Sequence, residues 1–386
     1  GNRAMATPVL VTKLFLPPPR PKAVPRPRLL ARLDEGLRRK LTLVSASAGF
    51  GKTTLLTEWI RQGQAEKVPG SPMPDDVHRP FGGVTPHCCW LSLDENDNDP
   101  VRFLTYLIAA LQKLDLQIGS AVSPLLQAAQ QPPLEMLLTL VINDLSQCTT
   151  PLLLVLDDYH LICTPAIHQL LLFLLDHLPP ALHLVITTRT DPPLPLARWR
   201  VRRDLVEIRA RDLRFTQDEA AEFLRKEIGV ELSPTNIAAL AQRTEGWIAG
   251  LQMAALSLRQ REPATVAQFI EAFSGSHRYI MDYLVDEVLQ QQPPEVQTFL
   301  LYTSILDRLC GPLCEALWQD GAAPDGAPNG GRDFAPALVA PDASRGQAFL
   351  AYLEHANLFI QPLDEQNARR TSYAFANLSA NYQFGF

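Results

Sequence analysis

The sequence predicts an α/β domain built on a parallel β-sheet with helices on both faces, followed by mainly helical units. Three observations support this prediction. Over about the first 210 residues, short apolar segments alternate with longer helical patterns, an alternation typical of parallel sheets. A glycine-rich turn joins the first apolar segment to a helix. After about residue 215, helical patterns follow one another without a strand between them.

The strands of the predicted sheet are short, apolar and rich in β-branched residues. They lie at residues 41–46, 89–93, 152–156, 182–188 and 205–208. Helical patterns lie around and between them at 28–39, 52–61, 102–113, 134–147 and 167–178. Beyond the sheet, helices are predicted at 216–227, 235–240 and 248–261, and a small β-hairpin at 358–363 and 370–376.

Length and composition favour several folded domains. The chain has 386 residues, of which 46% are hydrophobic and 20% charged, which is enough apolar material for sizeable cores. The net charge of −6 argues against a basic nucleic-acid-binding surface over the whole chain. The 33 prolines cluster at 17–27, 69–86 and 324–341, and these clusters mark a strap, an insertion and a loop.

Compartment signals favour a reducing cytoplasm. No segment approaches the roughly 20 uncharged apolar residues that a transmembrane helix needs, and the first residues lack the apolar core of a signal peptide. The six cysteines show no zinc or disulfide spacing; Cys310 and Cys314 come closest, on an apolar helical pattern. We therefore expect free thiols, a cytoplasmic location and no membrane contact.

The strongest motif is a phosphate-binding loop between the first strand and the next helix. Gly49 and Gly51 let the backbone curl so that successive N–H groups point at phosphate oxygens, and the helix N-terminus adds partial positive charge. Lys52 is expected to reach the β- and γ-phosphates, and the Thr53 hydroxyl to bind Mg²⁺. The strict motif has glycine in place of Ala46, but lysine is rare here, at 7 of 35 basic residues. The residues expected around the phosphates are Ala48, Gly49, Phe50, Gly51, Lys52, Thr53 and Thr54.

Charged residues follow two later strands of the predicted sheet. Asp157 and Asp158 come directly after the apolar run 152–156. Asp157 is expected to hold Mg²⁺ through water, and Asp158 to orient or activate the attacking water. Arg189 follows the strand 182–188, where a guanidinium can contact the γ-phosphate. The alternatives are a helix cap for the acids and a surface position for the arginine.

Three weaker features have two interpretations each. His160 follows the acidic pair and either senses nucleotide through Asp158 or caps a loop. The acidic segment 94–99 lacks the spacing of a Ca²⁺ loop, so we expect a solvated loop that starts a helix. The arginine cluster at 198–203 either supplies an arginine finger to a neighbouring copy or forms a solvated edge or an ion-pair network.

Together these motifs resemble the STAND class of signal-transducing P-loop ATPases. The similarity is greatest to the MalT-like branch, the N-terminal ATPase of LuxR-type transcriptional activators, and it extends over almost the whole chain. The resemblance rests on short motifs at residues 12–14, 24–30, 47–54, 90–95, 157–162, 213–216 and 245–247.

The resemblance implies an order of domains. An N-terminal strap at 1–40 contacts nucleotide, and a P-loop nucleotide-binding domain follows at 41–212. A helical domain is expected at 213–275 and a winged-helix-like domain at 276–386, with a mobile loop at 321–341. In this class ADP locks a closed monomer, whereas ATP together with an inducer opens it and drives self-association.

The resemblance also assigns residues. Val24, Pro25 and Arg26 match the segment that wraps the adenine, and Arg189 matches the position that senses the γ-phosphate. Two departures stand out. Related proteins carry a Gly-x-Pro turn against the base, but no proline follows Gly246-Trp247, so core packing of Trp247 is equally expected. The segment 371–377 lacks the histidine that binds the ADP β-phosphate in the family.

Three functions fit these observations. The first is an ATP/ADP switch with slow ATPase activity, which serves the sensor and DNA-binding domains of a longer transcriptional activator and does not itself bind nucleic acid. The second is a stand-alone or defence-type STAND protein that acts through a separate effector. The third is a P-loop phosphotransferase, which would need an arginine-rich lid that the sequence does not display.

Overall fold

The structure is a computed structural model, and it divides the chain into two compact units. The first comprises Gly1–Ala46 with Gly51–Leu213, and the second Ser47–Phe50 with Arg214–Phe386. The predicted loop at 321–341 and most of the proline-marked insertion at 69–86 lie outside the described residues. These are 9–65, 86–115, 117–128, 130–228, 232–259, 266–273, 283–290, 292–304, 306, 308–320, 344–356, 358, 360–362 and 372–375.

A five-stranded parallel sheet organises the first unit, in the order β2-β3-β4-β1-β5. Its central strands β1, β3 and β4 are buried along their whole length. Because helices cover both faces of such a sheet, these strands are mostly apolar and do not alternate between buried and exposed residues. The strands are β1 Leu41–Ser45, β2 His87–Ser92, β3 Leu152–Asp157, β4 Leu182–Thr188 and β5 Leu205–Arg209.

Eight helices accompany this sheet in the described part of the first unit. Three of them, α1, α3 and α6, begin with a proline in the first turn, where the missing N–H costs nothing. The five predicted strands and five predicted helices of this region are confirmed, with shifted ends in all but β4, whereas α4, α7 and α8 were not predicted. The helices are α1 Pro27–Gly36, α2 Lys52–Ala65, α3 Pro100–Leu111, α4 Val122–Leu126, α5 Leu134–Ser146, α6 Pro165–Asp176, α7 Leu196–Arg202 and α8 Ala210–Leu213.

The N-terminal strap is fixed to the first unit by a buried ion cluster. Lys13 is 7% exposed; its Nζ lies 3.0 Å from Asp94 and also contacts Asp97. Asp97 is fully buried and receives a second cation, since Nε of Arg102 lies 3.2 Å from it. The prediction that the segment 94–99 is a solvated loop is therefore wrong at Asp97, because the buried carboxylate is neutralised by two cations.

The second unit is mainly helical and carries a three-stranded antiparallel sheet in the order β6-β8-β7. The predicted C-terminal hairpin is confirmed by the pairing of β7 with β8, and β6 joins it as a third strand. The strands are β6 Arg308–Cys310, β7 Ile360–Pro362 and β8 Ser372–Phe375. The helices are α9 Gln217–Ile228, α10 Pro234–Arg243, α11 Ile248–Leu258, α12 Val266–Ala272, α13 Pro294–Thr303, α14 Gly311–Asp320 and α15 Arg345–His355, with a π-helical segment at Val285–Leu289.

Each unit has its own apolar core. In the second unit the rings of Phe299 and Phe349 stack with centroids 4.7 Å apart, among buried residues that include Val296, Leu350 and Leu353. Within the described ranges, no helix combines the length and the apolar character needed to cross a membrane.

Candidate functional site

The glycine-rich turn leads from β1 into α2, as the sequence predicts. Gly49 and Gly51 adopt φ angles of +78° and +73°, in the left-handed region that residues with a side chain rarely occupy. Lys52 begins α2, and its ammonium donates a hydrogen bond to the carbonyl of Ala46 at 2.6 Å. The strand–turn–helix geometry is thereby confirmed, and it places a buried lysine beside the carboxyl end of β1.

A second group of polar side chains lies at the carboxyl end of β3. Asp157 is the last residue of that strand and is 3% exposed. The hydroxyl of Thr53 donates to it at 3.1 Å, and the hydroxyl of Thr187 at 2.5 Å. Thr187 reaches Asp157 because β3 and β4 are parallel neighbours with Leu156 opposite Ile186. Three side chains from β3, β4 and α2 thus form one hydrogen-bonded group.

The electrostatics of this group are dominated by burial. Burial lowers the pKa of Lys52 to about 8, although Asp158 and Asp157 act against this shift. Burial also raises the pKa of Asp157 to about 6, and the charge of Asp158 adds to it. Desolvation therefore outweighs the attraction between the opposite charges. Groups perturbed in this way occur preferentially at functional sites.

Asp158 and His160 follow directly on the chain. Asp158 has a φ of +61°, its amide donates to the Thr187 hydroxyl at 2.9 Å, and its side chain is half-exposed. Nδ1 of His160 lies 3.8 Å from Asp158. Burial, reinforced by the charges of Arg189 and Lys52, lowers the pKa of His160 to about 3. The imidazole of His160 is thus neutral and lies near Asp158. A role of His160 in nucleotide sensing stays a prediction.

Arg189 follows β4 at the same edge of the sheet and is half-buried. Its charge acts on Lys52. Just beyond it, Asp191 accepts a hydrogen bond from the Ser45 hydroxyl at 3.2 Å and pairs with Arg209 of β5. The structure therefore gathers Lys52, Thr53, Asp157, Asp158 and Arg189 at the carboxyl edge of the sheet, as predicted for a parallel α/β fold.

Sequence reasoning missed two participants at this edge. The sequence pattern assigns Thr187 only to a strand, whereas its hydroxyl bridges the carboxylate of Asp157 and the amide of Asp158. No motif marks Asp191, although it ties β1 to β5 through Ser45 and Arg209. For Thr187 a signal was present, because a hydroxyl side chain near the end of a neighbouring parallel strand lies at the same edge as the acids.

The strap residues take defined positions. Val24 is buried, Pro25 is exposed and Arg26 is buried. The guanidinium of Arg26 donates to the carbonyl of Leu213 at 2.5 Å, and that of Arg28 to the carbonyl of Asp212 at 2.6 Å. The strap is thus tied to α8, and its contact with an adenine ring stays a prediction.

The arginine cluster of α7 forms ion pairs. Arg198 lies 3.0 Å from Asp176, and Arg200 lies 2.6 Å from Glu207. Although burial opposes the shift, hydrogen bonds from Arg200 and Arg209 lower the pKa of Glu207 to about 2. The ion-pair interpretation is confirmed for these two arginines, and an arginine finger for a neighbouring copy stays a prediction.

Several known proteins are similar to this chain. The family model of the MalT winged helix domain matches residues 285–382. The HTH-type transcriptional regulator MalT of Yersinia enterocolitica is 37% identical over 300 residues, which are 77% of this chain and 31% of the relative. MalT of Yersinia pestis is 34% identical over 359 residues, 92% of this chain and 35% of the relative.

A solved structure supports the fold alone. A Walker-type ATPase of Pyrococcus abyssi aligns with 95% of this chain and 98% of its own, with a TM-score of 0.55 and 15% sequence identity. Such a likeness extends to the path of the chain and not to its chemistry.

The fold, the phosphate loop and these relatives define a P-loop ATPase fold joined to a winged-helix domain. Within that class the chain is MalT-like, because it is homologous to MalT regulators over most of its length. It spans about a third of the length of the curated relatives it matches. The family resemblance drawn from the sequence motifs and the predicted C-terminal winged helix are both confirmed.

Proposed function

We propose that this chain is the nucleotide-dependent switch module of a MalT-like transcriptional regulator. It binds ATP or ADP, hydrolyses ATP slowly, and self-associates in the ATP state. The proposal rests on the hydrogen-bonded group of Thr53, Asp157 and Thr187, which lies with the buried Lys52 at the carboxyl edge of the sheet. In parallel α/β folds this edge, beside a glycine-rich loop, is where nucleotides bind.

The residues at this edge suit a magnesium nucleotide. The Lys52 ammonium donates to a neutral main-chain carbonyl, an acceptor that a phosphate oxygen can replace. The hydroxyl of Thr53 and the carboxylate of Asp157 are oxygen donors of the kind that Mg²⁺ prefers, and both would hold it. When bound, Mg²⁺ neutralises charge on the phosphates. The backbone at Ala48, Gly49, Phe50, Gly51 and Thr54 frames the phosphates.

For hydrolysis, the half-exposed Asp158 orients the attacking water. The Thr187 hydroxyl holds the carboxylate of Asp157 and the amide of Asp158, so the two acids are fixed relative to each other. Arg189, at the end of the neighbouring strand, contacts the γ-phosphate and thereby distinguishes ATP from ADP. The reaction resets the switch, so only a low turnover is required.

The strap completes the nucleotide site. We assign Val24, Pro25 and Arg26 to the side of the adenine ring, and the bond between Arg26 and the Leu213 carbonyl fixes the strap for this contact. The family's β-phosphate-binding histidine has no counterpart in the segment 371–377. The ADP state is therefore held by other groups.

The greater length of the MalT relatives indicates which partners the switch serves. Because the MalT relatives are about three times as long as the matched segment, the switch is proposed to serve sensor and DNA-binding regions of a longer regulator. An inducer together with ATP would trigger self-association. The chain itself is proposed to make no direct contact with nucleic acid.

Two measurements on the purified chain test this function. Mass spectrometry of the extracted ligand is expected to find one adenine nucleotide per chain. Gel filtration is expected to give a monomer with ADP and larger assemblies with a non-hydrolysable ATP analogue and inducer. A chain that neither retains nor binds an adenine nucleotide would contradict the proposal.

A further inference from the structure

Two carbonyl groups of the phosphate loop accept hydrogen bonds from the start of α11. The indole N–H of Trp247 donates to the carbonyl of Ala48 at 3.2 Å, and the amide of Ala249 donates to the carbonyl of Gly49 at 3.1 Å. Trp247 is 1% exposed. These contacts lie inside the second unit, to which residues 47–50 belong.

The bonded carbonyls determine where the neighbouring N–H groups point. A trans peptide is planar, and its C=O and N–H are directed to opposite sides. The described chain has no cis peptide. With the Ala48 carbonyl held towards Trp247, the N–H of Gly49 points away from α11. The Gly49 carbonyl directs the N–H of Phe50 in the same manner. Successive loop amides of this kind are the groups that bind phosphate oxygens.

The local structure is built to hold these two bonds. Ala249 lies in the first turn of α11, where amides have no partner within the helix, so its N–H is available to the loop. Gly246, with a φ of +70°, precedes Trp247, and its carbonyl accepts from the amide of Phe215 at 2.8 Å. A Cβ on Gly246 would lie 2.4 Å from the Phe215 carbonyl oxygen. Only glycine fits this turn, which fixes the start of α11.

The start of α11 also packs closely against Gly49 of the phosphate loop. A Cβ on Gly49 would lie 2.6 Å from the Cβ of Ala249 and 2.8 Å from the indole nitrogen of Trp247. The ring of Tyr283 stands beside the indole, with centroids 5.6 Å apart. These neighbours fix the orientation of the indole. Its N–H cannot point in another direction unless the surrounding side chains repack.

We propose that Trp247 is a positioning residue for phosphate binding. Its indole N–H, together with the Ala249 amide, orients the N–H groups of Gly49 and Phe50 towards the β-phosphate of the bound nucleotide. The inference rests on the proposed nucleotide site and adds to it a residue whose donor group acts through the loop. It also gives a chemical reason for the Glu-Gly-Trp motif at 245–247.

The test compares Trp247→Phe with the matched control Trp90→Phe. Both substitutions remove a buried indole that donates to a neutral oxygen, since Trp90 donates to the Ser92 hydroxyl at 2.9 Å. Titration calorimetry with ADP and with AMP separates the β-phosphate from the rest of the nucleotide. For Trp247→Phe we expect the Kd for ADP to rise about fivefold, the equivalent of one hydrogen bond, and the Kd for AMP to stay unchanged.

The outcomes distinguish the two proposals. If the wild type binds ADP and Trp247→Phe leaves the ratio of the ADP and AMP affinities unchanged, the positioning role is wrong and Trp247 is only part of the core. If the wild type does not bind ADP, the proposed function itself fails. If Trp247→Phe does not fold, incorporation of benzothienylalanine at 247, which keeps the ring shape and lacks the N–H, gives the same comparison.

Discussion

Two buried lysines of the first unit show how the same side chain can serve structure or chemistry. Lys13 and Lys52 are both 7% exposed. Lys13 lies against the carboxylates of Asp94 and Asp97. Lys52 instead donates to a main-chain carbonyl, and burial lowers its pKa to about 8.

This difference has an energetic meaning. A buried charge that is paired with carboxylates offsets its desolvation within the folded chain. For Lys52 the nearby charges of Asp158 and Asp157 offset only part of that cost, and its lowered pKa reports the remainder. A site that must accept a phosphate gains from such an arrangement, because the ligand adds negative charge beside the ammonium. We therefore assign Lys13 to folding and Lys52 to binding, and the following substitutions test that assignment.

The largest effect is expected for Lys52→Met. The variant should lose nucleotide affinity by on the order of a thousandfold, because charge-assisted bonds to two phosphates disappear. Its free energy of unfolding without nucleotide should change by less than about 1 kcal/mol, since a costly buried charge is removed as well. Titration calorimetry and urea unfolding measure the two quantities. The control is Lys40→Met, whose ammonium also donates to a carbonyl, that of Leu175, but precedes β1 at the opposite edge.

For Lys13→Met we expect the reverse pattern. The buried carboxylate of Asp97 loses one of its two cations, and the free energy of unfolding should fall by about 3 kcal/mol. Nucleotide affinity of the folded protein should stay unchanged. Lys226→Met is the control, because its partner Glu222 is solvated and such pairs contribute about 0.5 kcal/mol. Equal losses in the two variants would remove the distinction between buried and exposed pairs.

A third buried base extends the comparison to pH. His183 lies between the Thr42 hydroxyl at 3.0 Å and the Arg39 carbonyl at 2.8 Å, and burial lowers its pKa from 6.5 to about 4. The unfolded chain binds a proton below pH 6.5, whereas the folded chain does so only near pH 4. The free energy of unfolding should therefore fall by about 2 kcal/mol between pH 7 and pH 5.

His183→Gln should remove that part of the pH dependence, which urea unfolding at pH 7, 6 and 5 measures. His177→Gln is the matched control, since His177 is exposed. A slope that His183→Gln leaves unaltered would show that the imidazole is not held neutral by burial. In that case burial as a neutral base, proposed for His183, would not be a third arrangement beside those of Lys13 and Lys52.

The smallest effect is expected for Arg102→Met. Arg102 shares the carboxylate of Asp97 with Lys13 but is 28% exposed, so solvent already screens part of its charge. We expect a loss of about 1 kcal/mol in the free energy of unfolding, roughly a third of the loss in Lys13→Met. Urea unfolding of both single variants and the double variant measures this ranking. A loss in Arg102→Met as large as that in Lys13→Met would mean that burial does not decide which cation matters.

Sequence reasoning succeeded where a pattern is local. The limits of β4, Leu182–Thr188, agree with the prediction at every residue, because an apolar β-branched run is bounded by prolines before it and an arginine after it. The turn at Gly49 and Gly51 was predicted for the same reason: the residues that require it are adjacent on the chain.

It failed where the decisive contact joins distant residues. Thr187 and Asp157 are 30 positions apart and meet only because β3 and β4 are neighbours, an order that the sequence does not state. Lys13 and Asp97 are 84 positions apart, so the burial of an acid within a polar segment was not visible. The two bonds from α11 to the loop are of this kind as well, and the sequence offered for Trp247 only core packing or a contact with the base.

The last strand of the sheet, β5, has a consequence for solubility. A strand at the end of a sheet leaves one side open to pairing with another chain, which leads to aggregation. In β5 the charged residues Glu207 and Arg209 alternate with the buried Val206 and Ile208, and both are engaged in ion pairs. Replacing this charged pair by valines would leave an uninterrupted apolar edge, open to the growth of intermolecular sheets.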